Sequence, residues 1–462
     1  MQQGETGGQV QGFELSKTLY LSPCFWCLVT SLILSNPSTS CTMEDIDQNK
    51  LVREVIMSVS LRSLKSSNFK GILILFLVFL LIVGGIVQIF RPYPIVETKP
   101  TSQSVNLPGS FKVTFPEQGE SAVGTENFGV IASSAVKTSI PIASVAKIMT
   151  AYLVLKAHPL KPGEDGPSLT MDAQDVTEYQ TALNKGYSVL KVAAGESLTE
   201  KQLLEGLLLP SGDNIADRLG RWVSGSDVAF VTKMNETAKS LGMTVTHYAD
   251  ASGVNQTTVS NAVDQLKIAQ AAMEDPVFRE IVAMPQVTLP VAGTVFNVNG
   301  MLGKYGVVGI KTGSTSKAGG NFVSATPITA GDKTHYLIAV VLGQQSVQSL
   351  KSALDENVKI LEQVRSQFKL YPITQPSAGF GQILSAWNSK SDLKATQSPQ
   401  IFGYPGMEVS YSIKLNKSQL PILPNTNVAT LTVKSGQEIQ TVPLQNTQEI
   451  KPPGLLWKLF RY

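Results

Sequence analysis

The chain has 462 residues, 43% of them apolar and 16% charged, and a net charge of +3. That length accommodates two or three domains with ample material for a core. The near balance of charge, without a long basic run or a basic patch interleaved with aromatics, argues against a nucleic-acid-binding protein.

Residues 1–70 read as a cytoplasmic segment. Leu19–Leu34 is apolar but interrupted by Pro23, Thr30 and Ser31; a second span there is disfavoured because the basic stretch after it would put the N-terminus outside, and an over-long start, with Met43 or Met57 as the true first residue, is an equal alternative. All three cysteines, Cys24, Cys27 and Cys41, lie here, so the remainder of the chain needs no disulfide and Cys24-Phe25-Trp26-Cys27 is read as incidental.

Gly71–Phe90 is a run of twenty uncharged residues between Lys70 and Arg91. At about 1.5 Å per residue it makes about 30 Å of helix, enough to cross a bilayer core. Its length, and the lack of small residues in Phe90-Arg91-Pro92-Tyr93, disfavour a cleaved signal peptide. Lys50, Arg53, Arg62, Lys65 and Lys70 precede the run, whereas only Arg91 and Lys99 follow it closely. The positive-inside tendency then makes the chain a single-pass protein of the cell membrane, with everything after residue 91 on the extracytoplasmic side.

Residues 91–114 are rich in Pro, Thr, Ser and Val without apolar periodicity, and read as a linker. Residues 115–370, where helical and strand signals alternate, form the body of the protein. In residues 371–462, Val409, Tyr411, Ile413 and Leu415 alternate with polar residues, as do Ala429, Leu431 and Val433, which predicts a small all-β domain. Its last residues, Pro452 to Tyr462, mix aromatics, leucines and basic residues; they suit either a membrane interface or packing on the β domain.

Three stretches of the body carry chemistry. Ser-x-x-Lys occurs seven times, so spacing alone selects nothing. Ser144-Val145-Ala146-Lys147, however, opens a run with Ile148, Met149, Tyr152 and Leu155 on one apolar face, ended by Pro159. This places Ser144 in the first turn of a buried helix with Lys147 on the same face. A serine hydroxyl becomes a competent nucleophile when a base removes its proton, and a lysine acts as that base when burial and nearby positive charge lower its pKa. Ser211-Gly212-Asp213 lies 67 residues further on, in a turn after the helical run Thr199–Leu209, which begins with a capping box from Thr199 to Gln202. Lys311-Thr312-Gly313 follows after another 100 residues, at the end of a strand over Val307–Ile310, with a second strand at Tyr336–Leu342. Lys311 and Thr312 suit a substrate carboxylate, and Gly313 allows close backbone approach. Each stretch alone is ordinary; their joint order points to serine acyl transfer with lysine as base.

On these motifs, and on Leu209-Pro210-Ser211-Gly212-Asp213-Asn214 and Tyr248-Ala249-Asp250-Ala251-Ser252-Gly253, the chain resembles the D-alanyl-D-alanine carboxypeptidases, the low-molecular-weight penicillin-binding proteins. The resemblance implies an α+β fold of the β-lactamase/transpeptidase type, an antiparallel sheet flanked by helices with a helical cluster across the cleft, followed by a C-terminal β domain. It implies Ser144 as nucleophile, Lys147 as its base and Ser211 as proton relay. Lys311 and Thr312 would hold the terminal carboxylate, with Gly313 and Asp213 beside them, and the backbone N–H groups of Ser144 and Ser314 would form the oxyanion hole. The implied substrates are peptidoglycan stem peptides ending in D-Ala-D-Ala, and the implied inhibitors are β-lactams, which acylate the serine. No metal, nucleotide or other cofactor is implied. One departure stands out: the family's second motif usually reads Ser-x-Asn, and its third position here is Asp213. A carboxylate beside Lys147 and Lys311 favours their charged forms and slows acylation. Two rival readings are a class A β-lactamase, against which no Glu-x-x-Leu-Asn element is found, and an inactive wall-binding module.

Overall fold

The computed structural model describes residues 66–92, 97–98, 103–135, 139–331, 333–373, 380–416 and 419–461. The expectations for Leu19–Leu34 and the three cysteines lie outside these residues. The chain divides after Phe90 into two compact units. In the first, helix α1 (Ser66–Phe90) contains Phe69–Phe90, the one stretch among the described residues that is long and apolar enough to cross a membrane. Its Leu, Ile and Phe side chains are exposed along the span, as a helix meant for lipid requires.

The second unit begins with two short strands, β1 (Glu97–Thr98) and β2 (Gln103–Asn106), followed by β3 (Glu120–Thr125) and β4 (Gly129–Ser133). A helical region comes next: α2 (Lys147–Ala157), α3 (Ala173–Asn184), α4 (Glu200–Leu208), α5 (Asp213–Ser224), α6 (Asp227–Ser240), α7 (Ala262–Met273) and α8 (Pro276–Val282). Then come β5 (Gly309–Thr315), β6 (Gly319–Ala330), β7 (Lys333–Gln344) and α9 (Ser349–Arg365).

Five of these strands form one antiparallel sheet in the order β5-β6-β7-β3-β4. Because side chains alternate along a strand, its two faces separate cleanly. Ala122, Val323, Ala325, Ile338, Val340 and Leu342 join the core beneath α7, whereas Val123, Phe322, Leu337, Ala339 and Val341 join the core beneath α9. Each such fully buried Val, Leu, Ile or Phe contributes about 1.5–3 kcal/mol, so burial on both faces makes the sheet the rigid wall of the molecule. Helix α2 is apolar nearly all round, with Ile148, Met149, Leu153 and Val154 buried, and so lies inside the helical cluster against α4, α5 and α7.

The C-terminal region adds β8 (Gln382–Leu384), β9 (Lys390–Ala395), β10 (Glu408–Leu415), β11 (Asn427–Ser435) and β12 (Glu438–Asn446), in a sheet of order β1-β8-β9-β12-β11-β10-β2. Residues 91–114, read from sequence as a linker, supply both edge strands of this sheet, and Leu107 enters its core. Short polar strands that only fill sheet edges carry no apolar alternation, which is why their sequence reads as a tether. The β region also packs on the body: Phe402 stacks on Phe128 (5.6 Å) and on His335 (4.6 Å), and Gln437 N donates to Asn127 Oδ1 (2.9 Å). At the chain's end, helix α10 (Leu455–Phe460) sets Trp457 edge-on to Trp387 (5.5 Å), and Arg461 donates to the carbonyls of Arg91 and Pro92.

Candidate active site

Ser144 lies on a 3-10 turn, Ala143–Ala146, that feeds α2, instead of in the first turn of the α-helix itself. Ala143 takes a left-handed φ of 48°. For a residue with a side chain this costs of order 1–2 kcal/mol, and the turn is held in place from outside: Ile142 N donates to Thr258 O (3.3 Å), and Gly313 of β5 lies against it. A Cβ at Gly313 would stand 2.9 Å from Ser144 N and 3.0 Å from Val145 N, so only glycine lets the strand approach the backbone of Ser144 this closely.

Lys147 is fully buried, and its Nζ donates to Ser144 Oγ (2.9 Å), Asp213 Oδ1 (2.5 Å) and Ser252 O (3.0 Å). The spacing of three residues on a helical path puts the lysine back over the serine, as the sequence implied. Asp213, expected among the residues that face substrate, gives one carboxylate oxygen to Lys147, and the resulting ion pair is almost wholly removed from water.

The Ser211-Gly212-Asp213 turn is fixed by the segment before it: Asp213 N donates to Ser188 O (2.8 Å), and Asn214 Oδ1 and Nδ2 bond the backbone of Leu190 (3.0 Å each). The helix preceding the turn, α4, opens with the expected capping box between Thr199 and Gln202. Ser211 takes a φ of 68°, and its buried Oγ has no hydrogen-bond partner among the described residues. A hydroxyl held so at an energetic cost of about 1–3 kcal/mol is suited to bonding with something that enters the cleft.

On the opposite wall, Lys311-Thr312-Gly313 lies inside β5, paired with Val323, Phe322 and Asn321 of β6, instead of following a strand that ends at Ile310. Lys311 is 1% exposed, and Nζ donates to Thr312 O (3.1 Å). Burial, and next the charge on Lys147, push its pKa down to about 7, with Asp213 acting in the opposite sense. Thr312 is buried beside it, and Ser314 follows at the exposed end of the strand, where its Oγ is 3.4 Å from Ser349 Oγ.

The structure therefore gathers Ser144, Lys147 and Asp213 into one hydrogen-bonded set, and Gly313 brings the strand that carries Lys311 and Thr312 against the turn that carries Ser144. Sequence reasoning did not assign a role to Ser252, whose carbonyl is the third acceptor of Lys147; any residue supplies a carbonyl, so only the surrounding Tyr248–Gly253 stretch hinted at it. A cleft of about 450 Å³ opens beside Asp213, bounded by Thr181, Asp217, Asp250 and Val254. Burial and the carboxylates of Asp227, Glu178 and Asp250 push Asp217 up to about 7. Among the described residues no group of His, Cys, Asp and Glu is arranged to hold a metal ion.

A profile of the D-alanyl-D-alanine carboxypeptidase family matches residues 122–346. The chain is 32% identical over 267 residues to a D-alanyl-D-alanine carboxypeptidase of Streptomyces sp. (strain K15), covering 52% of this chain and 85% of that protein. It is 34% identical over 203 residues to D-alanyl-D-alanine carboxypeptidase DacB2 of Mycobacterium tuberculosis, covering 42% of this chain and 65% of that protein. Among solved structures, a peptidoglycan synthesis regulatory factor (PBP3) from Streptococcus pneumoniae matches 74% of this chain and all of its own, with a TM-score of 0.53 and 21% identity. That likeness is one of fold, and the fold is the expected transpeptidase/β-lactamase-like α+β arrangement with a C-terminal β region.

Proposed function

The chain belongs to the D-alanyl-D-alanine carboxypeptidase family and is a serine-type enzyme of that kind, and we propose that Ser144, Lys147, Ser211, Lys311 and Thr312 carry its reaction on peptidoglycan stem peptides ending in D-Ala-D-Ala. Lys311 and Thr312 receive the terminal carboxylate. Ser144 Oγ attacks the carbonyl carbon of the penultimate residue while its proton passes to Lys147 Nζ, and the carbonyl oxygen takes up negative charge beside the backbone N–H groups of Ser144 and Ser314. As the C–N bond breaks, Ser211 relays the proton from Lys147 to the departing amine of D-alanine. Water then hydrolyses the ester on Ser144. A β-lactam enters the same step and leaves a covalent adduct on the serine.

The observation that carries this reading is the 2.9 Å contact of Lys147 Nζ with Ser144 Oγ, made by a fully buried lysine. Neither contact nor burial is expected of a Ser-x-x-Lys on an ordinary surface helix. Residues 115–370 act as the catalytic domain and 371–462 as an accessory β domain. With α1 as a membrane anchor, both lie on the extracytoplasmic side, where the substrate is.

Full-length protein in detergent should bind fluorescent penicillin covalently and release D-alanine from a peptide ending in D-Ala-D-Ala. Rapid release of hydrolysed penicillin would turn the assignment toward a β-lactamase, and the absence of both labelling and D-alanine release would leave a wall-binding module.

A further inference from the structure

We propose that Asp250 is a positioning residue for the base, fixing the loop 249–258 so that its Ser252 carbonyl holds Lys147 toward Ser144. The proposal rests on the reading of Lys147 as the base. Asp250 touches none of the reacting groups. Its Oδ2 accepts from Ser252 Oγ (2.9 Å) and from Asn255 N (3.1 Å), and its Oδ1 accepts from Thr258 Oγ1. Both hydroxyls are already acceptors for the loop's own backbone: Ala249 N donates to Thr258 Oγ1 (2.9 Å) and Val254 N to Ser252 Oγ (3.4 Å). Each hydroxyl proton is therefore directed to Asp250, and one carboxylate closes the loop on itself from three sides.

The closed loop presses on the catalytic turn at four places. Ser252 O accepts from Lys147 Nζ (3.0 Å), and Ala251 O accepts from Thr150 Oγ1 (2.6 Å), one helical turn beyond the lysine. Thr258 O accepts from Ile142 N (3.3 Å), just ahead of Ser144. Between them Gly253, at φ 82°, lies so close to the turn that a Cβ there would stand 1.9 Å from Ala143 O. A lysine side chain has four rotatable bonds and keeps one rotamer only while its acceptors are fixed. Besides the Ser144 hydroxyl, Nζ has two acceptors, Asp213 Oδ1 and Ser252 O; both lie off the α2 path, and one of them is on the Asp250 loop.

Only a carboxylate satisfies all three donors. In Asp250→Asn the amide oxygen can serve Ser252 and Asn255, but the amide nitrogen then faces Thr258 and that bond must invert. Asp250→Ala removes all three. The effect should therefore be graded, and it should appear in the chemical step, because Lys311 and Thr312 on the strand wall are untouched.

The test is acylation of the full-length protein by fluorescent penicillin, with the rate constant expressed per titrated site, together with kcat and KM for a D-Ala-D-Ala peptide. Loss of base alignment of about 1 Å lowers rates by up to about 100-fold. We expect Asp250→Ala to lower the acylation rate per site by tenfold or more, Asp250→Asn and Thr258→Val by less, and kcat to fall in each while KM holds. Asp250→Asn should add little to Thr258→Val. An unchanged rate per titrated site, or a loss confined to the number of sites that can be titrated, overturns the proposal, as does a fall arising wholly from KM. Should Asp250→Ala fail to fold, the two milder variants decide the matter. Failure of the underlying reading would show differently, as absence of labelling in the unaltered protein.

Discussion

Lys147 on the helical wall of the site donates to three acceptors, one of them the buried carboxylate of Asp213, whereas Lys311 on the strand wall donates to a single backbone carbonyl. Both are buried to within 1% of completely. On the proposed roles, the difference separates two tasks that require the same side chain. A base must point at one oxygen and exchange one proton with it, so it is surrounded by fixed partners. A receptor for a substrate anion must have its strongest interaction unmade until the anion arrives, so it is left with little besides burial, and burial disfavours its charge.

The largest way to break this comparison is to remove each lysine. Lys147→Met should lower the acylation rate by about 10²–10⁴, the usual contribution of a general base, with peptide affinity nearly unchanged. Lys311→Met should instead raise KM for a peptide with a free terminal carboxylate, and matter much less for one ending in an amide. Steady-state kinetics on the two peptides check both; identical profiles for the two variants would mean that the lysines do not divide the work.

A second test uses pH. Lys311 must be cationic to hold a carboxylate, and its pKa in the folded protein is lowered from 10.5 to about 7. As pH rises through about 7 the cation becomes the minor species, so kcat/KM should fall, approaching tenfold per pH unit, while a peptide amide escapes that fall. Stability moves the other way. Between about 7 and 10.5 the unfolded chain holds more protons on this group than the folded one, so its burial penalty shrinks as pH rises.

A smaller effect is expected at Asp213. The buried ion pair with Asp213 engages Lys147 in the form that cannot take the Ser144 proton, and breaking it opposes the activation of Ser144. Asp213→Asn removes that opposition and should raise the acylation rate by about three- to tenfold, where tenfold corresponds to about 1.4 kcal/mol. Stopped-flow labelling would register it, and a slower variant would show that the carboxylate aids the step.

Much of this was legible before the fold was seen. The helix after Ser144 announced itself by its apolar periodicity, and the order of the three motifs selected Ser144-Lys147 from seven copies of the same spacing. What stayed hidden has common causes. The left-handed backbone at Ala143 and Ser211 leaves no mark in residue type, because alanine and serine rarely adopt it. Lys311-Thr312-Gly313 read as a strand end because the apolar run stops at Ile310, yet pairing with β6 carries the strand on through them. Contacts made by backbone carbonyls, such as Ser252 O on Lys147, belong to the path of the loop. His335 stacks on Phe402 where the β region meets the body, a position no local pattern encodes.

The most direct measurement of the central claim is mass spectrometry of the full-length protein after reaction with penicillin and proteolysis. We expect a single penicilloyl group on the peptide containing Ser144, absent from Ser144→Ala. An adduct on any other residue, or one that persists in Ser144→Ala, would contradict it.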